Sequence, residues 1–190
     1  MAYERNPDVK RSSSKTITFI ILSAIFLFSV AHATDLTLNN TPAQVYFSPN
    51  GGCTETIVNQ IEAAKSEILV QAYSFTSAPI AKALVNAHKR GVKVEAILDK
   101  SQKSERYTSA TFISNVGIPI YIDSKHAIAH NKIVIIDRET VITGSFNFTK
   151  AAEEKNAENL LIIRNKDLAR IYVGNWEKHK EHSEPYEGGK

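Results

Sequence analysis

His130-Asn131-Lys132, four apolar residues, Asp137, and then Gly144-Ser145-Phe146-Asn147 place an imidazole, an ammonium and two small polar groups within 18 residues. A neutral imidazole is a competent nucleophile near pH 7. An ammonium beside it neutralises oxyanions, so the two together could hold and attack one phosphate. Ser145 and Asn147 follow a glycine that permits close approach, and they sit two residues apart. Both can donate hydrogen bonds where negative charge develops.

These groups work together only if the chain presents them on one face. Ile133, Val134, Ile135 and Ile136 form a β-branched run, which predicts a strand from His130 to Ile136. Alternate side chains of a strand share a face, so His130 and Lys132 point one way and Asn131 the other. Asp137 is an odd seven residues from His130 and begins the turn Asp137-Arg138-Glu139. It reads as a structural acid that orders the turn.

The surrounding pattern supplies a scaffold. Gln44 to Phe47 reads as a short strand, followed by the turn Ser48 to Gly52. Thr54 to Lys65 reads as a helix with Thr54 as N-cap and Ile57, Val58 and Ile61 on one face. Glu67 to Phe75 and Val92 to Leu98 read as strands, the second alternating in character. They flank a helix from Ala78 to Arg90 that ends at Gly91, with Ile80, Leu84 and Val85 inward. Such a β-α-β-α-β run favours parallel pairing. Ser109 to Asn115 is a short helix stopped by Gly117, and Ile118 to Ile122 is a strand. Lys132 to Ile136 and Thr140 to Thr143 are neighbouring strands, and Glu158 to Arg164 is another. Lys166 to His182 is a helix with Leu168, Ile171, Tyr172 and Trp176 inward, followed by a polar tail from 183 to 190. The expected fold is α/β, a single domain with a mixed β-sheet sandwiched by helices.

The N-terminus reads differently. Lys10, Arg11 and Lys15 precede an apolar run from Thr16 to Val30, and Ala31-His32-Ala33 follows. That order is the pattern of a secretory signal peptide. Its 15 apolar residues fall short of the ~20 a spanning helix needs. Residues 1–33 are expected to be removed after Ala33, leaving a domain of residues 34–190 that acts in the periplasm or outside the cell. Of the 23 basic and 20 acidic residues, the first 33 positions hold four and two; the remainder is close to neutral at +1. Global charge therefore gives no support for a nucleic-acid partner. Locally, Lys82, Lys89, Arg90 and Lys93 lie close together, as do Lys100, Lys103 and Arg106; a solvated surface explains them equally well. Cys53, the only cysteine, excludes an internal disulfide. A helix N-terminus there could lower its pKa, but no base is indicated nearby, and an inert or intermolecular thiol is the better reading.

The spacing His130-x-Lys132, Asp137, Gly144-Ser145-x-Asn147 resembles the HKD signature of the phospholipase D superfamily, with every position filled. Gln71-Ala72-Tyr73-Ser74-Phe75, Lys89-Arg90-Gly91-Val92, Ala151-Ala152 and Asn156-Ala157-Glu158-Asn159 are similar to the small bacterial endonuclease branch. The resemblance spans roughly residues 43–180. It implies a two-step displacement in which one histidine forms a phosphohistidine while a second protonates the leaving oxygen and then activates water. It implies that Lys132, Ser145 and Asn147 bind phosphate. It also places Glu158 against the second nitrogen of His130, fixing its tautomer; Glu153 and Glu154 read as solvated. The chain holds one copy of the motif, and His88, His179 and His182 lack its context. The second histidine is therefore expected from another protomer of a homodimer.

No cofactor is expected. His126 and His130 form a His-x-x-x-His pair that could bind zinc on a helix, but no glutamate accompanies it and the region reads as loop into strand, so no metal site is expected. The resemblance thus implies a metal-independent phosphodiesterase; a nucleic-acid endonuclease is the expected activity, and a phospholipase D cleaving phospholipid head groups is the alternative. Gly52-Cys53-Thr54 and Ile128-Ala129-His130-Asn131-Lys132 look similar to small exported proteins described as phospholipase D. A nuclease should show a basic groove, drawn from Lys100, Lys103 and Arg106. A lipase should show exposed apolar loops. Phe75, Tyr107 and Phe148 could serve either.

Overall fold

The computed structural model describes residues 33–103 and 108–186. Residues 1–32 of the expected export segment lie outside the described residues, as do Arg106 and Tyr107. No described helix is long and apolar enough to cross a membrane.

Eight described strands form one mixed sheet: β1 (Ala43–Ser48), β2 (Glu67–Ala72), β3 (Lys93–Asp99), β4 (Ile120–Asp123), β5 (Lys132–Ile136), β6 (Thr140–Gly144), β7 (Glu158–Arg164) and β8 (Glu184–Pro185). Their order is β1-β7-β6-β5-β2-β3-β4-β8. β2, β3 and β4 run parallel, whereas β2 pairs antiparallel with β5 and so joins a four-stranded antiparallel half. The expected parallel run thus holds only from β2 onward. β1 crosses to the far edge and pairs antiparallel with β7. β3 also departs from expectation: its residues are buried on both faces from Val94 to Asp99 rather than alternating. A central strand covered by helices on both sides has no solvent face to alternate toward.

Helices α1 (Cys53–Ala63), α2 (Ala78–Lys89), α3 (Ala110–Ser114) and α4 (Lys150–Glu154) contribute to the core on one face. α5 (Lys166–Glu181) covers the other, where Ala169, Val173 and Trp176 meet Leu69, Ile97, Ile133, Ile135 and Val141. The buried stripe of α5 is rotated from the expected one: Leu168 and Tyr172 pack at its margin, and only Trp176 of the four expected residues is buried. Ala169 lets the helix approach the sheet, and the Trp176 indole donates to the Val70 carbonyl at 2.9 Å, which sets the rotation.

β2 ends at Ala72, short of the expected Phe75, which forms a single parallel bridge with Phe148. Thr54 is not the N-cap of α1. Gly52 occupies that position, and the Glu153 carboxylate accepts from Gly52 N and Thr54 N at 3.1 and 2.7 Å. Glu153 is therefore a cap supplied across 99 residues, not a solvated acid. The described part of the expected polar tail is anchored: Glu184 and Pro185 pair with β4, and the Tyr186 hydroxyl lies 2.9 Å from Thr111 Oγ1.

Candidate active site

The carboxyl ends of β2 and β6 and the amino ends of β5 and β7 meet at one edge of the sheet. Residues placed just beyond these ends have their backbones fixed by the sheet and their side chains free of it. A cavity of about 340 Å³ opens there, lined by His130, Lys132, Gly144, Ser145, Asn147 and Glu158. A second of about 450 Å³ adjoins it, sharing His130, Lys132 and Gly144 and extending to Tyr172 and Asn175 on α5.

β5 begins at Lys132, so His130 and Asn131 precede the strand they were expected to open. Asn131 still continues the ladder through its carbonyl, which accepts from Tyr73 N at 2.9 Å. His130 is exposed, its ring 4.6 Å from that of Tyr73. Lys132 is only 7% exposed. Its ammonium donates to the His130 carbonyl at 2.7 Å and lies 5.2 Å from the Tyr73 ring centre. Burial lowers the Lys132 pKa, and the Glu158 carboxylate partly offsets this. A cation held at this desolvation cost gains most from a phosphate that completes its charge pairing.

The loop after β6 alternates. Phe146 and Phe148 are fully buried, whereas Ser145 and Asn147 face the cavity. The two phenylalanines act as plugs, and the Phe148 carbonyl accepts from Thr76 N and Ser77 N. Gly144 has φ 151°, and a Cβ there would lie 2.2 Å from the Asn159 carbonyl oxygen, so only glycine allows β7 this close. Ser145 Oγ accepts from Asn159 N at 3.0 Å, which leaves its hydroxyl proton free to donate. Asn147 Oδ1 is buried without a hydrogen-bond partner.

Glu158 lines the cavity, but its carboxylate accepts from Asn156 Nδ2 at 3.1 Å, and no hydrogen bond joins it to His130 among the described residues. Asp137 lies at the opposite end of β5. Its carboxylate accepts from the backbone of Lys65, Ser66 and Glu67 and from the Ser66 hydroxyl at 2.8–3.2 Å. Burial raises its pKa, but these donors outweigh burial and the net shift is downward.

Other candidates fall elsewhere. Phe75 and Phe148 are core residues, packed edge to face at 6.4 Å, and offer nothing to a substrate. Lys100 donates to the His126 carbonyl, and Lys103 pairs with Glu184, so these two lysines are committed within the fold. Arg90 caps α1 through the Ile61 and Glu62 carbonyls, and Lys93 pairs with Glu95 and Glu67. His126 and His130 do not form a ligand pair: His126 turns toward Asp123, and His130 lies against Tyr73. Cys53 is fully buried, and burial, with Glu153 adding to it, pushes its thiol up to about 11, opposite to a helix-dipole effect. Tyr73 and Asp99 received no role from the sequence. Tyr73 lies against both His130 and Lys132, and Asp99 accepts from Ala129 N at 2.7 Å, holding the residue before His130. An acid ending a buried strand was the available signal for Asp99.

The model of the family described as cardiolipin synthase, PLD-like domain, matches residues 57–179. A phospholipase D of Rickettsia conorii is 41% identical over 180 residues, which cover 94% of this chain and 87% of that protein. The crystal structure of Nuc from Salmonella typhimurium, described as a phospholipase D family member, is similar with a TM-score of 0.74 at 42% identity, covering 77% of this chain and 98% of that one. NucT from Helicobacter pylori shares the fold, with a TM-score of 0.71 at 22% identity over 77% of this chain and 99% of that one.

Proposed function

The chain belongs to the phospholipase D superfamily and is a hydrolase acting on phosphodiester bonds; from that premise we propose that it is a metal-independent endonuclease working through a phosphohistidine, with one active site shared by two copies of the chain. The observation that carries this is the cavity at the sheet edge, where Lys132, Ser145, Asn147 and Glu158 converge on a single histidine, His130.

In the first step a lone pair of the His130 imidazole attacks phosphorus. The P–N bond forms, the P–O bond breaks, and the leaving oxygen takes a proton from the protonated imidazole of the partner's His130. That ring, now neutral, removes a proton from water. The resulting hydroxide attacks phosphorus and breaks the P–N bond. Lys132, Ser145 and Asn147 bind the non-bridging oxygens, where charge is greatest in the five-coordinate transition state of each step. Glu158 lines the same cavity and orients the nucleophilic ring once it turns from Asn156 Nδ2.

A shared site needs a surface to share. α5 leaves the sheet uncovered over β1 and β7, where Val45 and Phe47 are exposed at 52% and 67% and Leu161 lies opposite Val45. This apolar strip supports pairing of two copies. The leader pattern of residues 1–33 supports action outside the cytoplasm. The resemblance of the motif and its flanking segments to the small bacterial endonuclease branch supports a nucleic-acid substrate. A phospholipid is the second reading: Ile128, two residues before His130, is 56% exposed, and the Rickettsia relative is named a phospholipase D.

Purified protein assayed in parallel on plasmid DNA and phosphatidylcholine vesicles, with a strong chelator present, separates these readings. DNA nicking without choline release is expected, and the reverse would replace the nuclease with a lipase. Mixing wild-type and His130→Ala chains at equal amounts, with subunit exchange, tests the shared site. Activity of about one quarter is expected, against about one half for independent sites. A fully active monomer in sedimentation would end the dimer reading.

A further inference from the structure

We propose that Asp123, His126, His179 and His182 form a structural zinc site, separate from the hydrolytic cavity and independent of the reading above. The four come from three segments. Asp123 ends β4, His126 lies in the loop that leads to His130, and His179 and His182 belong to the last turn and C-cap of α5. One donor atom from each lies within 4.8 Å of every other.

The Asp123 side chain is fully buried and faces no lysine or arginine ammonium or guanidinium among its ion pairs; three imidazoles surround it instead. Nδ1 of His126 and Nδ1 of His179 lie 3.0 and 2.7 Å from Asp123 Oδ2, and Nε2 of His182 lies 3.3 Å from the same oxygen. Three ring nitrogens crowd one carboxylate oxygen. His182 Nε2 fails to make a hydrogen bond there and is buried without a partner. A buried orphan nitrogen aimed at an anion needs an explanation. A cation among the four supplies it, because each nitrogen then directs its lone pair at the metal rather than contesting a proton.

The donor set selects the ion. Three imidazoles and a carboxylate suit zinc and disfavour magnesium, which demands oxygen ligands. A tetrahedral ion with bonds of about 2.0–2.1 Å places its ligand atoms about 3.3–3.4 Å apart, within the 4.8 Å spread of the donor atoms in this cluster. Four protein ligands leave no open position for water or substrate, so the site is structural, not catalytic. Its effect is mechanical. It ties the end of α5 and the β4 edge to the segment carrying His130, already held by Lys100 Nζ on the His126 carbonyl and Ala129 N on Asp99.

The test uses the untagged full chain, stripped with chelator and dialysed against zinc. About one zinc per chain by elemental analysis is expected, with tetrahedral d–d absorption bands after cobalt substitution. Free zinc at about 100-fold over its Kd should raise Tm by about 5–10 °C, and magnesium should leave it unchanged. His126→Ala and His182→Ala should each lose the stoichiometric zinc. The His126 side chain is 44% exposed in a loop, so its variant tests the site even if α5 variants fail to fold. A wild-type chain that retains no zinc and gains no Tm overturns the proposal, as does an unchanged zinc count in His126→Ala or equal stabilisation by magnesium. Hydrolysis is not the readout: failure of this site leaves the phosphodiester chemistry standing, and failure of the chemistry leaves the zinc count standing.

Discussion

Strand β5 has a motif charge at each end, and the fold treats the two oppositely. At one end the Asp137 carboxylate is surrounded by donors from Lys65, Ser66 and Glu67, which hold it ionised and spend its hydrogen-bonding capacity. At the other end Lys132 is buried with one carbonyl partner, a nearby ring and a lowered pKa, beside an Asn147 oxygen with no partner at all. The satisfied end sets the register of β2 against the turn after β5. The unsatisfied end retains binding capacity: the Lys132 ammonium for a ligand's negative charge, the Asn147 oxygen for a ligand's hydrogen-bond donor. One motif therefore contains a stability element and a reactive element, separated by the length of a strand, roughly 13 Å or more.

Substitutions at the two ends should separate activity from stability. His130→Ala should lower hydrolysis of a simple phosphodiester by about 10⁴-fold or more while the thermal transition stays within about 2 °C. A large loss of Tm would make His130 part of the scaffold instead. Lys132→Met should reduce kcat/KM by about 10²–10³-fold without lowering Tm, because it removes a buried cation along with the phosphate contact. A kcat/KM near wild type would assign phosphate binding elsewhere.

Asp137→Ala should show the reverse pattern. Loss of a carboxylate that accepts from three backbone N–H groups and a hydroxyl should cost about 2–3 kcal/mol in urea unfolding, with kcat of the folded fraction unchanged within about threefold. The pH dependence follows from the same contacts. Folding lowers the Asp137 pKa, so its stabilisation is present above the unfolded value near 4 and is lost as pH falls through and below that range. Asp137→Asn should flatten the fall in stability between about pH 5 and 3 relative to wild type. An unchanged acid limb would mean that the carboxylate contributes nothing. Glu153→Gln, which weakens the cap on α1, should have the smallest effect, about 1 kcal/mol in unfolding, with activity retained.

Much of the site was legible because its signals are local. His130, Lys132, Ser145 and Asn147 line one cavity, as their spacing on strands and a strand-like loop implies; the family resemblance added Glu158, which lines it too but meets Asn156 rather than the His130 ring. The boundaries of β5 and β7 follow from their apolar runs and match the reading from residue 132 and residue 158 onward. The missed features join residues far apart in the chain. The Glu153 cap crosses 99 residues, the Asp137 clamp about 70, and Asp123 meets His179 across 56. No window of sequence contains both partners. The basic clusters allowed two readings for a related reason: charge is visible in a sequence, whereas the His126 carbonyl that meets Lys100 and the Glu184 that meets Lys103 lie on other segments.

Sequence alone determined the identity and order of the groups that line the cavity, because period-two alternation and glycine placement act over a few residues. Tertiary structure decided which charges stay available. Availability depends on burial and on partners brought in by long-range packing: the segment leading into β2 brought four donors to Asp137, Lys132 met only one acceptor, and α5 with its C-cap carried two distant histidines to Asp123 beside the neighbouring His126.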